Sequence, residues 1–152
     1  FRLVRDSVLN REILESLIAW CDCVYHLAAV VGVEHYVGDP YQVLNINVNG
    51  TQKVINLAFK LHKKVIFSST SEVYGRNLAV PFNEDSDRLM GSTRIDRWFY
   101  TTSKAVGEHF CFAFHKMGLP VVVLRYFSAQ CNRHHLQCLH ALCAQSFSNL
   151  VG

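Results

Sequence analysis

Long apolar runs and charge are both scarce in this sequence. No stretch approaches the roughly 20 apolar residues of a membrane-spanning helix, and no basic start followed by an apolar stretch marks a secretory leader. Only 18% of residues are charged and the formal net charge is +3. The basic residues are scattered apart from short groups such as Lys63-Lys64, a pattern that points away from nucleic acid. The eight His add little charge at neutral pH. There is no internal repeat and no low-complexity tract. The chain opens Phe1-Arg2-Leu3 without a start Met, so an N-terminal truncation is expected.

What remains is a globular composition. Half of the 152 residues are hydrophobic, enough for one domain with a core. The six cysteines are Cys21, Cys23, Cys111, Cys131, Cys138 and Cys143. A chain of this length and apolar content needs no disulfide framework, so they read as reduced thiols of a cytoplasmic protein.

Periodicity then orders the elements. Ile13, Leu14, Leu17 and Ile18 carry helical spacing over residues 12–20. Cys23-Val24-Tyr25-His26-Leu27-Ala28-Ala29 has the length of a buried strand. Asp39-Pro40 predicts an N-cap and a first helical Pro, opening a helix through Val54, Leu57, Ala58 and Leu61 to Lys63-Lys64. Val65-Ile66-Phe67 is a second strand, running into Ser68-Ser69-Thr70-Ser71. A polar loop over residues 75–95 exceeds the usual connection and reads as functional. A third helix is expected over residues 97–117, closed by Gly118-Leu119-Pro120, before the strand Val121-Val122-Val123-Leu124-Arg125-Tyr126-Phe127.

Strand, helix, strand, helix, strand is the signature of an α/β fold: a partial doubly wound, Rossmann-like parallel sheet with flanking helices. Right-handed crossovers bring the strand C-termini to one edge, where ligands of such sheets bind. His26-Leu27-Ala28-Ala29, Ser68 through Ser71 and Tyr126-Phe127 would meet there. Composition changes after Phe127, so residues 1–127 read as one domain and 128–152 as an atypical tail. Leu136, Leu139, Leu142 and Cys143 could form a helical stripe there, without a capping signal to support it. Cys131, His134, His135, Cys138, His140 and Cys143 are zinc-ligand types, but without paired Cys-x-x-Cys spacing no metal site is expected.

Tyr100-Thr-Thr-Ser-Lys104 lies within the third predicted helix, where positions i and i+4 share a face. A Lys ammonium beside a phenol favours phenolate and lets it exchange protons with a hydroxyl at neutral pH. Alone, the spacing is common by chance, and the pair reads first as an amphipathic helix with a surface Tyr and Lys. Its context is Val-x-His-Leu-Ala-Ala, then Asn47-Val48-Asn49-Gly50-Thr51, then Ser68-Ser69-Thr70-Ser71-Glu72-Val73-Tyr74-Gly75, then Tyr100-x-x-x-Lys104, then Leu124-Arg125-Tyr126-Phe127. In order and gaps these motifs resemble the extended short-chain dehydrogenase/reductases, closest to the nucleotide-sugar epimerases, dehydratases and decarboxylases.

That resemblance implies a role for each matching position. Tyr100 would transfer the proton, Lys104 would also bond the nicotinamide ribose, and Thr70 would bond the substrate hydroxyl. Ser7 and Val8 would touch adenine. Leu27, Ala28, Ala29, Ser68 and Ser69 would line the dinucleotide, and Tyr126 and Phe127 would close the nicotinamide end. Asn47 would lie beside the cofactor; it reads equally as a helix Asn bonding a neighbouring strand's backbone. Glu72 would serve sugar chemistry beyond hydride transfer, as in the decarboxylases; it reads equally as a solvated loop residue. The resemblance further implies NAD, a nucleotide-sugar substrate and a homodimer through the helices carrying Asn47 and Tyr100, the stripe Val54, Leu57, Ala58 and Leu61 permitting such contact. No nucleic acid and no membrane partner is expected.

Two features depart from the family. No Gly-x-x-Gly-x-x-Gly turn occurs to receive a pyrophosphate, and the residue that would choose between NAD and NADP is missing with it. After Arg-Tyr-Phe the chain reads Ser128-Ala129-Gln130-Cys131-Asn132-Arg133 where the family has Asn-x-x-Gly-Pro-Arg. An altered reading frame would produce such a change, which translation of the coding DNA in its other frames tests.

Overall fold

A computed structural model of the chain describes residues 2–127 and 142–146. Three parallel strands, β1 (Cys23–His26), β2 (Lys64–Thr70) and β3 (Val121–Tyr126), lie side by side in that order. The α/β class and the parallel sheet expected from the sequence are present. A fourth strand, β4 (Leu142–Ser146), joins β3 antiparallel. Leu142 and Cys143 are therefore strand residues and not part of a helical stripe, because their backbone pairs with Tyr126 and Arg125. Leu136, Leu139, Ser128 and the cysteines and histidines of residues 131–140 lie outside the described residues.

Helix α1 (Arg11–Trp20) starts at Asn10, whose side chain accepts from the Ile13 N–H. Asp39 likewise accepts from the Gln42 N–H and opens α3 (Pro40–Leu44), as its Asp-Pro pair predicts. The helix continues through a wider π-helical turn (Asn45–Gly50) into α4 (Thr51–Lys60). A short helix α2 (Val33–Gly38) has no side-chain cap, which is why the sequence shows no start signal for it. β1 ends at His26, sooner than the apolar run suggests, because the Leu27 N–H turns back to the Tyr25 carbonyl and leaves Leu27 exposed. Helix α5 (Arg97–Lys116) closes at Gly118, whose φ of 102° a side chain rarely adopts.

Alternate strand residues Val65, Phe67, Val121 and Val123 are buried on one sheet face under α4 and α5. Val54, Leu57 and Ala58 enter this same core. The stripe expected to permit subunit contact is thus spent on the chain's own sheet, since helical periodicity marks a buried face without naming what buries it. Two glycines set close approaches. A Cβ on Gly50 would lie 2.8 Å from Val8 Cγ1, and one on Gly107 would clash with Phe67 Cζ. No helix of the described residues is long and apolar enough to cross a membrane.

Gly107→Val should lower stability by roughly 2–3 kcal/mol, because the Phe67 ring beneath it has little room to move. Gly38→Ala, with nothing within 4 Å of the new Cβ, should change it by less than about 0.5 kcal/mol. Urea denaturation of both variants checks the contrast.

Candidate active site

Helix α5 places Tyr100, Lys104, Glu108 and Cys111 along one face, and all four are buried. Lys104 Nζ donates to the Ser68 carbonyl at 2.7 Å, just before β2 ends. It sits 5.1 Å from the centroid of the Phe67 ring and 6.0 Å from that of Tyr100. Burial pulls the Lys104 pKa down to about 8, so the ammonium still predominates at neutral pH. A cation beside the phenol with few competing water contacts is the arrangement that eases proton transfer at Tyr100. Tyr100 packs against Val43 and Val30.

Thr70 ends β2 and caps the 3₁₀ turn Ser71–Tyr74, its hydroxyl accepting from the Glu72 N–H at 3.3 Å. Glu72 is exposed, yet its Oε2 accepts from the buried Thr101 hydroxyl at 3.3 Å. Lys104 and Thr101 of α5 therefore engage the segment from Ser68 to Glu72. Asn47 is buried in the π-helical turn. It accepts from the Val30 N–H at 2.7 Å and donates to the Val30 carbonyl and to Ser103 Oγ. Those bonds tie the loop after β1 to α5; the backbone that Asn47 holds is this loop and not the neighbouring strand.

Sequence reasoning missed the network behind this edge. Arg125 of β3 makes a two-pronged ion pair with Glu108, at 3.0 and 2.7 Å. Ser69 Oγ also donates to Glu108, and Arg125 Nη1 donates to the Tyr74 hydroxyl and the Glu84 carbonyl. Tyr74 in turn donates to the Asn83 carbonyl and stacks on Phe82. Burial alone would lower the Arg125 pKa, but the Glu108 and Tyr74 bonds outweigh it and hold it above the usual guanidinium range. Glu108 stands one turn beyond Lys104, and that carboxylate on an apolar helix face was the signal available. The bond of His26 to Thr51 was missed too. His26 is buried, its Nε2 lies 2.8 Å from Thr51 Oγ1, and burial together with the Lys104 charge lowers its pKa to about 4.

Ser7, Val8, Leu27 and Ala28 come together in a separate cleft of about 250 Å³. Asp6 lines it as well, with its carboxylate accepting from Asn10 Nδ2 and from the Ser7 N–H. The segment before α1 and the end of β1 thus line one cleft, together with apolar side chains of α1. Tyr126 is 39% exposed, and Phe127 packs toward Tyr74 with ring centroids 6.4 Å apart. Ala29 is half-buried in the loop after β1. Among the described residues no group of His, Cys, Asp and Glu could hold a metal.

The profile of the NAD dependent epimerase/dehydratase family matches residues 2–142. A UDP-N-acetyl-alpha-D-glucosaminuronate decarboxylase of Bacillus cytotoxicus is 41% identical over 126 residues, covering 83% of this chain and 39% of that protein. The crystal structure of a UDP-glucuronic acid 4-epimerase from Bacillus cereus in complex with NAD is 34% identical, with a TM-score of 0.70 over 84% of this chain and 39% of that one. A UDP-N-acetylglucosamine 4-epimerase from Methanobrevibacter ruminantium, in complex with UDP-N-acetylmuramic acid, is 28% identical with a TM-score of 0.72, over 89% of this chain and 43% of that one. The chain thus spans about two-fifths of the length of these relatives.

His26 gives the site a pH signature. Its folded pKa of about 4 lies below the unfolded value of 6.5, so the unfolded state binds the proton more readily. Its contribution is complete above pH 6.5 and is lost as pH falls toward 4. Between pH 7.5 and 5 it should remove about 2 kcal/mol of stability. His26→Gln, which keeps a polar partner for Thr51, should lack that part of the slope when urea denaturation is compared at the two pH values.

Proposed function

The chain belongs to the NAD dependent epimerase/dehydratase family, and from that premise we propose that its site performs nucleotide-sugar chemistry through transient oxidation of a sugar carbon. The observation that carries the reading is the buried Tyr100–Lys104 pair near the C-terminal end of β2, the strand that Thr70 closes.

Tyr100 takes the proton of the sugar hydroxyl that is oxidised and later returns it. Lys104, with its ammonium held on the Ser68 carbonyl, offsets the negative charge that forms on the phenol. Thr70 bonds the same hydroxyl. The residues that would hold NAD are Ser7, Val8, Leu27 and Ala28 around the 250 Å³ cleft, with Ala29, Ser68 and Ser69 along the strand ends, Lys104 at the ribose, and Tyr126 and Phe127 at the nicotinamide end. Asn47 acts by fixing the Val30 loop. NAD, when bound, supplies the hydride acceptor and gives the hydride back. The cleft suits adenine; a glycine-rich cradle for the pyrophosphate does not occur in this sequence.

Glu72, bonded to Thr101, favours decarboxylation of a sugar acid. The alternative outside catalysis is a chain that acts only as a binding or dimerisation module. We place the protein in the cytoplasm, as a homodimer through the helices carrying Asn47 and Tyr100. The outward residues Gln52, Asn56, Thr102 and His109 would make that contact polar, and sedimentation velocity tests it.

Incubation with NAD and a panel of UDP-sugars and UDP-sugar acids, followed by chromatography and carbon dioxide detection, separates these readings. Tyr100→Phe should lower turnover by about 10²–10⁴-fold, with Lys104→Met comparably impaired, while both keep wild-type thermal unfolding within a few degrees. Turnover of Tyr100→Phe at the wild-type rate would sink the assignment. No heat on titration with millimolar NAD and no turnover would favour the binding-module reading.

A further inference from the structure

We infer that Thr101 is a positioning residue that holds Glu72 as a second proton-transfer group, an inference that rests on the reading of Tyr100 and Lys104 above. Thr101 is fully buried, and its hydroxyl donates to Glu72 Oε2 at 3.3 Å. Glu72 is otherwise an exposed residue on a turn, whose free side chain would sample many rotamers. Its backbone is fixed at both ends: the N–H donates to Thr70 Oγ1 and the carbonyl accepts from the Gly75 N–H. The Thr101 bond extends that order to the carboxylate. The anchor is firm, because Thr101 sits in a 20-residue helix between Tyr100 and the buried Ser103.

Successive helix residues diverge by about 100°. Tyr100 accordingly meets Val43 and Val30, whereas Thr101 meets the turn that follows β2. One helix thus serves two proton-handling groups that approach a substrate from different sides. Exchange of a single carbinol configuration moves one hydride and one hydroxyl proton, and Tyr100 suffices for it. A held carboxylate is surplus to that reaction. It is required where the carbon next to the new ketone loses or gains a proton. In that step the C–H bond breaks, its electron pair enters an enolate, and the proton passes to the Glu72 carboxylate. Where the carbon bears a carboxylate, the C–C bond breaks instead and carbon dioxide leaves. Glu72, protonated from water, then gives its proton to that carbon.

The full chain is tested in two ways. Carbon-13 NMR of the Glu72 carboxylate reads the contact without any cofactor: Thr101→Val should move its chemical shift by removing the hydroxyl donor, and Thr101→Ser should restore it. An unchanged shift in Thr101→Val overturns the inference. Turnover with NAD and UDP-sugars in deuterium oxide reads the role. The wild type should place deuterium on a ring carbon. Thr101→Val should do so at least tenfold more slowly while still producing the 340 nm absorbance of the first hydride transfer, with Thr101→Ser near wild type. Wild-type turnover without deuterium on carbon overturns the inference and leaves the Tyr100–Lys104 reading standing. A wild type inert to every substrate overturns both.

Discussion

The buried pair of Arg125 and Glu108 is the interaction on which the rest of the edge depends. It joins β3 to α5 by two parallel bonds, and its spare donors and acceptors reach Ser69 of β2, Tyr74 of the 3₁₀ turn and the Glu84 carbonyl of the long loop. Every segment that carries a proposed catalytic group is therefore tied to one ion pair. Such pairs give little net stability once desolvation is counted, but an unpaired member is costly, on the order of 3–5 kcal/mol. The pair's value here is positional. It fixes how far α5 lies along β2, which in turn decides that Lys104 meets the Ser68 carbonyl.

Behind that constraint, α5 acts as the organising element. Its buried face carries Tyr100, Lys104 and Glu108, and Gly107 lets the helix approach the Phe67 ring. Lys104 is held between a carbonyl and two aromatic rings. The cost of burying that charge appears as its lowered pKa, and the neighbouring His26 stays neutral partly because of it. The long loop is less free than its composition suggests. The Arg76 N–H donates to the Leu89 carbonyl, Asn77 Nδ2 to the Asp87 carbonyl, and Tyr74 reaches Asn83.

Much of this was legible in the sequence, and for identifiable reasons. The Asp39-Pro40 cap, the strand Val65-Ile66-Phe67 and the spacing of Tyr100 and Lys104 are local signals, and local signals survive folding. The order of motifs carried the family. Contacts between distant segments were not legible. Arg125 pairs with a residue 17 positions away, and Thr101 bonds one 29 positions away. Neither partner can be named from composition or period. The stripe of Val54, Leu57 and Ala58 shows the same limit: its period marked a buried face, and the sheet of this chain supplies the cover. Helix α2, without a capping side chain, left no mark at all.

The π-helical turn at Asn45–Gly50 bears on which insertions and deletions this chain can tolerate. Closing the same residues into an ordinary α-helix, without loss of one, would swing everything downstream by about 100°. Thr51 would turn away from His26, Val54 and Ala58 would leave the sheet, and Gly50 would no longer face Val8. The wide turn thus works as a phase adjuster between two faces that must both point inward, Asn47 toward Val30 and α4 toward the core. A one-residue deletion at the turn would leave a plain α-helix with both faces still in phase, whereas the same deletion within α4 would not.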